Sequence, residues 1–212
     1  NTISTHLKNA ILAVEDKRFY GHFGISLRGI AGAIRINLRE GRGALTGHGG
    51  STITQQTAKL LCLGKPYKAK DWKSDSQYEA NCRQSSLWRK VKEALFAIAL
   101  ELEFTKDEIL TLYLNRVFLG AGSRGFQAAS QRYFDKPASD LNPAEAAMLA
   151  GLLVAPSRYA PTNNLSKSQN RANIILNLME QQGLLSKELA KYYKENPAKL
   201  SIKASQKAGG HF

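Results

Sequence analysis

The segment that most limits the fold is Asn142-Pro143-Ala144-Glu145 with the run behind it. An Asn N-cap, a Pro at the first helical position and a Glu three residues after the cap predict a helix start, because each supplies an acceptor for, or does without, a backbone N–H that helix geometry leaves unpaired. The helix so opened is apolar nearly all round through Val154. A helix without a polar face must be surrounded, so it is assigned to the centre of a core that other elements wrap. The apolar run Met148 to Ala155 has eight residues. A membrane span needs roughly 18.

The wrapping elements also read as helices. Leu7, Ala10, Ile11 and Val14 recur at helical spacing, and Ser26 is an N-cap for a helix with Leu27, Ile30, Ala31, Ile34 and Leu38 on one side and Arg28, Arg35 and Arg39 on the other. Such an arginine-bearing helix suits either its own domain or an anionic membrane surface. Trp88 to Leu102 is a long helix with Val91, Leu95, Ile98 and Leu102 on one face, and Thr105 to Glu108 is a capping box for the helix of Ile109, Leu110, Tyr113 and Leu114. Further helices are expected at Phe126–Phe134, Lys167–Gln182 with a stop at Gly183, and Ser186–Glu195. No strand of useful length emerges, so the fold class is mainly α. Residues 41–50, with five glycines, are expected to form a mobile or tightly turned loop. Residues 63–85 read as a polar insertion or surface loop anchored by Tyr67, Trp72 and Tyr78; Pro156–Asn164 reads as a loop and 201–212 as a tail or linker.

At 212 residues and 43% hydrophobic content the chain can bury one large core. Its formal charge of +13 calls for an anionic partner: nucleic acid, a membrane face or a phosphorylated substrate. The polar start shows no cleavable signal, and the expectation is a peripheral piece of a longer chain whose targeting segment is missing. Cys62 and Cys82, twenty positions apart, lack the paired ligands of a zinc site. A loop-closing disulfide in an oxidising compartment and two free thiols both remain open.

Three stretches carry chemistry. Glu15-Asp16-Lys17-Arg18-Phe19-Tyr20-Gly21-His22-Phe23-Gly24 ends an apolar helix face with two carboxylates. Partial burial there would make Glu15 an effective base, whereas a solvated helix end would not. Gly49-Gly50-Ser51-Thr52-Ile53-Thr54-Gln55-Gln56 starts a helix with glycines and hydroxyls, an arrangement that suits an anion or a simple cap, and Lys59 falls one turn later. Arg89, Lys90 and Glu93 share a helix surface, which fits either a solvated ion pair or a second carboxylate beside two fixed cations.

Together these stretches resemble the peptidoglycan glycosyltransferases, family 51 of the glycosyltransferases, found in class A penicillin-binding proteins and in monofunctional cell-wall polymerases. The resemblance spans about residues 5–165. Its motifs are Glu15-Asp16 with Phe19, His22 and Gly24; Gly50 to Gln56; Arg89-Lys90 with Glu93; Lys106 with Ile109-Leu110 and Tyr113-Leu114-Asn115; and Arg124-Gly125 with Ala128-Ala129 and Tyr133-Phe134. It implies a lysozyme-like helical domain over residues 1–200, with a smaller membrane-facing lobe and mobile loop at about 25–48. It also implies polymerisation of lipid II into glycan strands at the outer face of the bacterial cytoplasmic membrane.

By that resemblance Glu15 is the base on the acceptor 4-hydroxyl and Glu93 the second catalytic glutamate. Lys59, Arg89 and Lys90 would hold the pyrophosphate, Ser51, Thr54, Gln55 and Gln56 would line the cleft, and Asp16 and His22 would position Glu15. Arg124 and Asn115 complete the substrate-binding set. No organic cofactor is implied, and a divalent cation, Mg or Mn, would have Glu93 as its candidate ligand. The implied partners are lipid II, the growing lipid-linked glycan, the membrane surface and other cell-wall synthesis proteins, with no nucleic acid; moenomycin is the implied inhibitor. Gly32 and Ser85 stand where the family often has arginine, and Asp135 where it favours glycine. Two rival readings are a lysozyme-like peptidoglycan hydrolase and a basic nucleic-acid-binding module. The first needs an acid for a poor leaving group, and the second leaves the glutamates unexplained.

Overall fold

The computed structural model describes residues 3–41, 50–84 and 86–209. Most of the glycine-rich loop expected at 41–50, Ser85 and the end of the tail lie outside the described residues. The α-helices are α1 (Thr5–Glu15), α2 (Leu27–Arg39), α3 (Ile53–Leu60), α4 (Asp75–Arg83), α5 (Leu87–Glu103), α6 (Lys106–Arg116), α7 (Phe126–Phe134), α8 (Pro143–Gly151), α9 (Pro156–Tyr159), α10 (Leu165–Gln181), α11 (Lys187–Glu195) and α12 (Ile202–Gly209). Among the described residues there is no strand, only an isolated antiparallel bridge between Phe118 and Arg124. The mainly α expectation holds. No described helix is long and apolar enough to cross a membrane.

The chain divides into two compact units, one of residues 1–17 with 114–212 and one of residues 18–113. In the first, α8 is the buried centre, packed on α1 and α10. Its Ala146, Ala147 and Leu149 meet a core that includes Leu7, Ala10 and Ile11 of α1 and Ile175, Leu176 and Met179 of α10. Each such Leu or Ile contributes about 1.5–3 kcal/mol by leaving water. The start of α8 is the expected reciprocal cap: Glu145 N–H donates to Asn142 Oδ1, and Asn142 N–H donates to Glu145 Oε2, both at 3.0 Å. Gln182 Nε2 donates to the Ala13 carbonyl at 3.0 Å and so ties the end of α10 to α1. The tail differs from expectation in being helical over Ile202–Gly209, where Ala204 is buried and α12 rests on α7.

In the second unit α3 packs against α5 and α4. The expected capping box of α6 is present: Thr105 N–H donates to Glu108 Oε2 at 2.8 Å, which holds that carboxyl below its ordinary pKa. Two close approaches set the frame. A Cβ at Gly24, which has φ +73°, would lie 3.0 Å from the Ala97 carbonyl of α5. One at Gly50 would lie 2.7 Å from Ile30 Cα of α2. Both positions exclude a side chain, so only glycine fits them.

Three local differences from the sequence reading have physical causes. The segment 63–85 is not merely a surface loop: it holds α4, whose Cys82 is disulfide-bonded to Cys62 beyond the end of α3. Closing a loop of that length is worth about 3 kcal/mol. Tyr78 adds a small aromatic cluster, its ring 5.5 Å from both Tyr67 and Trp72. On α5 the apolar stripe is outward, with Leu95 64% exposed and Val91 and Leu102 exposed as well. The inward face carries Glu93, Ala97 and Leu100, and the backbone of Gly24 packs closely on the Ala97 carbonyl. On α2 likewise Leu27 is 78% exposed and Leu38 is exposed, while Asn37 is buried.

Candidate active site

Glu15 is the last residue of α1 and half-buried; Asp16 is the C-cap, its N–H donating to the Leu12 carbonyl at 3.1 Å. Asn115 lies in the last turn of α6 and Arg124 beyond it, both exposed. These four belong to the first unit. The remaining candidates belong to the second.

Within the second unit the structure brings Ser51, Arg89, Lys90 and Glu93 into one chain of contacts. The Glu93 side chain is 3% exposed, so it is a buried carboxylate and not a solvated helix charge. Lys90 Nζ lies 2.8 Å from Glu93 Oε2 and also donates to Ser51 Oγ at 3.2 Å. Arg89 Nε lies 3.9 Å from Glu93 Oε1, and Arg89 Nη2 donates to the Cys82 carbonyl at 2.6 Å. A buried carboxylate would be costly alone; here two cations offset its desolvation. Two of the three donors of the Lys90 ammonium are so engaged, and with the side chain 45% exposed the third is left for a ligand from solvent.

The hydroxyl and amide residues of α3 are turned to other work. Thr54 is fully buried and donates through Oγ1 to Glu101 Oε1 at 2.6 Å. Gln55 Oε1 accepts from Thr52 N–H at 2.9 Å, closing the cap of its own helix. Gln56 Oε1 accepts from the Tyr113 hydroxyl at 3.3 Å. Lys59 sits half-buried in the last turn. His22 follows the short turn Phe19–Gly21, its ring edge-on to Phe19 with centroids 6.3 Å apart.

Sequence reasoning missed Glu101. It accepts from Lys106 Nζ at 2.7 Å as well as from Thr54, and Lys106 Nζ also stands 4.5 Å from the centre of the Phe19 ring. The available signal was its spacing: Glu93, Ala97 and Glu101 step by four along α5 on the face opposite the apolar stripe. As for a metal, both Glu93 oxygens face cations, and no group of three His, Cys, Asp or Glu side chains converges among the described residues. These residues do not fit a resident divalent ion.

The sequence model of the transglycosylase family matches residues 1–180. The chain belongs to the transglycosylase family. Its relatives include penicillin-binding protein 1A of Aquifex aeolicus (strain VF5), 40% identical over 186 residues that cover 88% of this chain and 23% of that protein. Penicillin-binding protein 1A of Neisseria flavescens is 41% identical over 180 residues, covering 85% and 20%. Penicillin-binding protein 1F of Bacillus subtilis (strain 168) is 38% identical over 186 residues, covering 88% and 23%. A crystal structure of penicillin-binding protein 1A from Haemophilus influenzae aligns with 45% of this chain and 14% of its own at 42% identity and a TM-score of 0.44. The transglycosylase chain thus spans about a fifth to a quarter of the length of these relatives. Membership makes it a peptidoglycan glycosyltransferase domain, an enzyme of cell-wall synthesis.

Proposed function

We propose that the domain polymerises lipid II by an inverting transfer in which Glu15 is the base and the Arg89–Lys90 pair receives the leaving group. The acceptor 4-hydroxyl attacks the anomeric carbon of the lipid-pyrophosphate donor and passes its proton to the Glu15 carboxylate. The bond from that carbon to the pyrophosphate oxygen breaks, and the electron pair leaves with the pyrophosphate. A leaving group that is already anionic needs positive charge fixed in advance more than it needs an acid. The observation that carries this reading is the buried Glu93 holding two cations, one of them with its ammonium open to solvent.

The lysozyme-like hydrolase is less favoured for the same reason. Glycoside hydrolysis needs a protonated carboxyl beside an alcohol leaving group, whereas both Glu93 oxygens are already taken up by Lys90 and Arg89. Membrane association belongs to the proposal too. The exposed Phe23, Leu27, Ile36 and Leu38, with Arg28, Arg35 and Arg39 along α2, suit a peripheral contact with an anionic membrane face, on the outer side of the cytoplasmic membrane. The region 25–48 is then the membrane-facing lobe, and other cell-wall synthesis proteins are its expected neighbours.

Incubation with lipid II tests the reading. Elongated glycan, suppressed by moenomycin, is expected. Cleavage of finished peptidoglycan without elongation would sink it in favour of the hydrolase, and salt-sensitive nucleic-acid binding without either activity would favour the binding module.

A further inference from the structure

The two cations of the candidate pyrophosphate site are tied to opposite ends of one helix. Just before α3, Ser51 Oγ accepts from Lys90 Nζ. Just after it, Cys62 is bonded to Cys82, whose carbonyl accepts from Arg89 Nη2 at 2.6 Å. Arg89 Nε is buried and makes no hydrogen bond, its Glu93 neighbour being 3.9 Å away. The Cys82 carbonyl is therefore the close acceptor that sets the guanidinium's orientation, and Cys82 is held there through sulfur.

The turn that carries Cys62 also depends on being held. Cys62 and Leu63 have φ of +52° and +53°, in the left-handed region that is unfavourable for a residue with a side chain. The disulfide, the packing of Gly64 against the Phe96 ring and the neighbouring core fix this turn. Cys62 lines an open cavity of about 730 Å³ together with Lys65, Trp88, Arg89 and Lys92. Both cysteines are buried, and the cavity that Cys62 borders is the side from which a small reductant would approach, its three cations attracting an anionic thiolate.

We propose that the Cys62–Cys82 disulfide positions Arg89 through the Cys82 carbonyl, so that the affinity of the site for pyrophosphate follows the redox state of this pair. The proposal rests on the reading of Arg89 and Lys90 as the pyrophosphate cations. In the switching step, the thiolate of a dithiol reductant attacks Cys62 Sγ, and Cys82 leaves as a thiolate and takes up a proton. The reductant's second thiol then displaces Cys62, which is protonated in turn. Two electrons and two protons pass to the pair, and the dithiol ends as a cyclic disulfide. Reduction frees the turn and α4 from α3, and Arg89 loses its fixed acceptor.

The test titrates the 212-residue chain with inorganic pyrophosphate by calorimetry across a series of dithiol-to-disulfide ratios, with protein thiols counted in parallel. Reduction is expected to weaken binding about tenfold, roughly 1.4 kcal/mol and comparable to one hydrogen bond to a charged group. Binding should fall at the same potential at which thiols form, and Cys62→Ser with Cys82→Ser should show the weak affinity at every ratio. Arg89→Ala should bind weakly in both states with no further fall on reduction. Unchanged wild-type affinity with both thiols free overturns the proposal, as does an equal tenfold fall in Arg89→Ala, which would mark a general loosening of the fold. An oxidised chain without affinity for pyrophosphate removes the cation-site reading itself, and the proposal with it.

Discussion

Thr54 Oγ1 donates to Glu101 Oε1 at 2.6 Å, across a contact in which the Glu101 side chain is 4% exposed. Lys106 Nζ shares the same oxygen at 2.7 Å. One buried carboxylate thus joins α3, α5 and the first residue of α6. Glu101→Ala should leave the largely buried Lys106 ammonium and the Thr54 hydroxyl without this acceptor, and destabilise the chain by about 3 kcal/mol. Glu101→Gln keeps an acceptor and should cost about half as much. Urea unfolding of the two variants measures both; equal, negligible losses would mean that the contact is not structural.

That contact marks where the sequence stops being legible. Helix starts were readable from local chemistry, as at Ser26, Asn142 and Ser186, because a cap satisfies its own next turn. The all-round apolar α8 likewise announced its own burial. Which face of α5 is buried was not readable. Periodicity groups Val91, Leu95 and Leu102 on one side, but the buried side is that of Ala97, which packs on Gly24, a residue distant in the chain. The inward turn of Thr54 was hidden for a related reason: its partner is 47 positions away. The motif placed Arg89, Lys90 and Glu93 correctly side by side, since i, i+3 and i, i+4 neighbours are fixed by helix geometry alone.

Removing the exposed ammonium isolates the electrostatic part of the proposed mechanism. Lys90→Met should lower kcat/KM for lipid II by about 100-fold, the scale of one lost contact to developing charge. Helix content by circular dichroism should stay at the wild-type value, because Arg89 still faces Glu93. A variant within twofold of wild type would show that Lys90 does not meet the leaving group.

The base is tested separately from the cations. Glu15→Gln keeps the size of the side chain at the end of α1 but removes its basicity. Polymerisation should fall by about 100-fold to 10,000-fold, the range that a positioned general base supplies. Affinity for lipid II, followed by fluorescence on a labelled substrate, should change by less than about threefold, since the pyrophosphate contacts are untouched. Wild-type turnover by this variant would take Glu15 out of the base role.

Tyr133 gives a pH dependence that does not involve the active site. Its hydroxyl is buried and donates to the Leu119 carbonyl at 3.1 Å. Burial pushes the phenol above its ordinary pKa of 10, opposed in part by the charge of Arg132. A group whose folded pKa is raised favours the protonated form in the fold. Its contribution is fully present below about pH 10, the unfolded value, and is lost as pH rises from there through the folded pKa. Tyr133→Phe leaves the Leu119 carbonyl without this donor and should cost about 1–2 kcal/mol at neutral pH. That difference should narrow above pH 10, where the wild type alone carries the penalty of the buried phenol. Thermal melts of both chains from pH 7 to 11 check this: a gap that stays constant over the whole range would show that the phenol does not titrate between the two states.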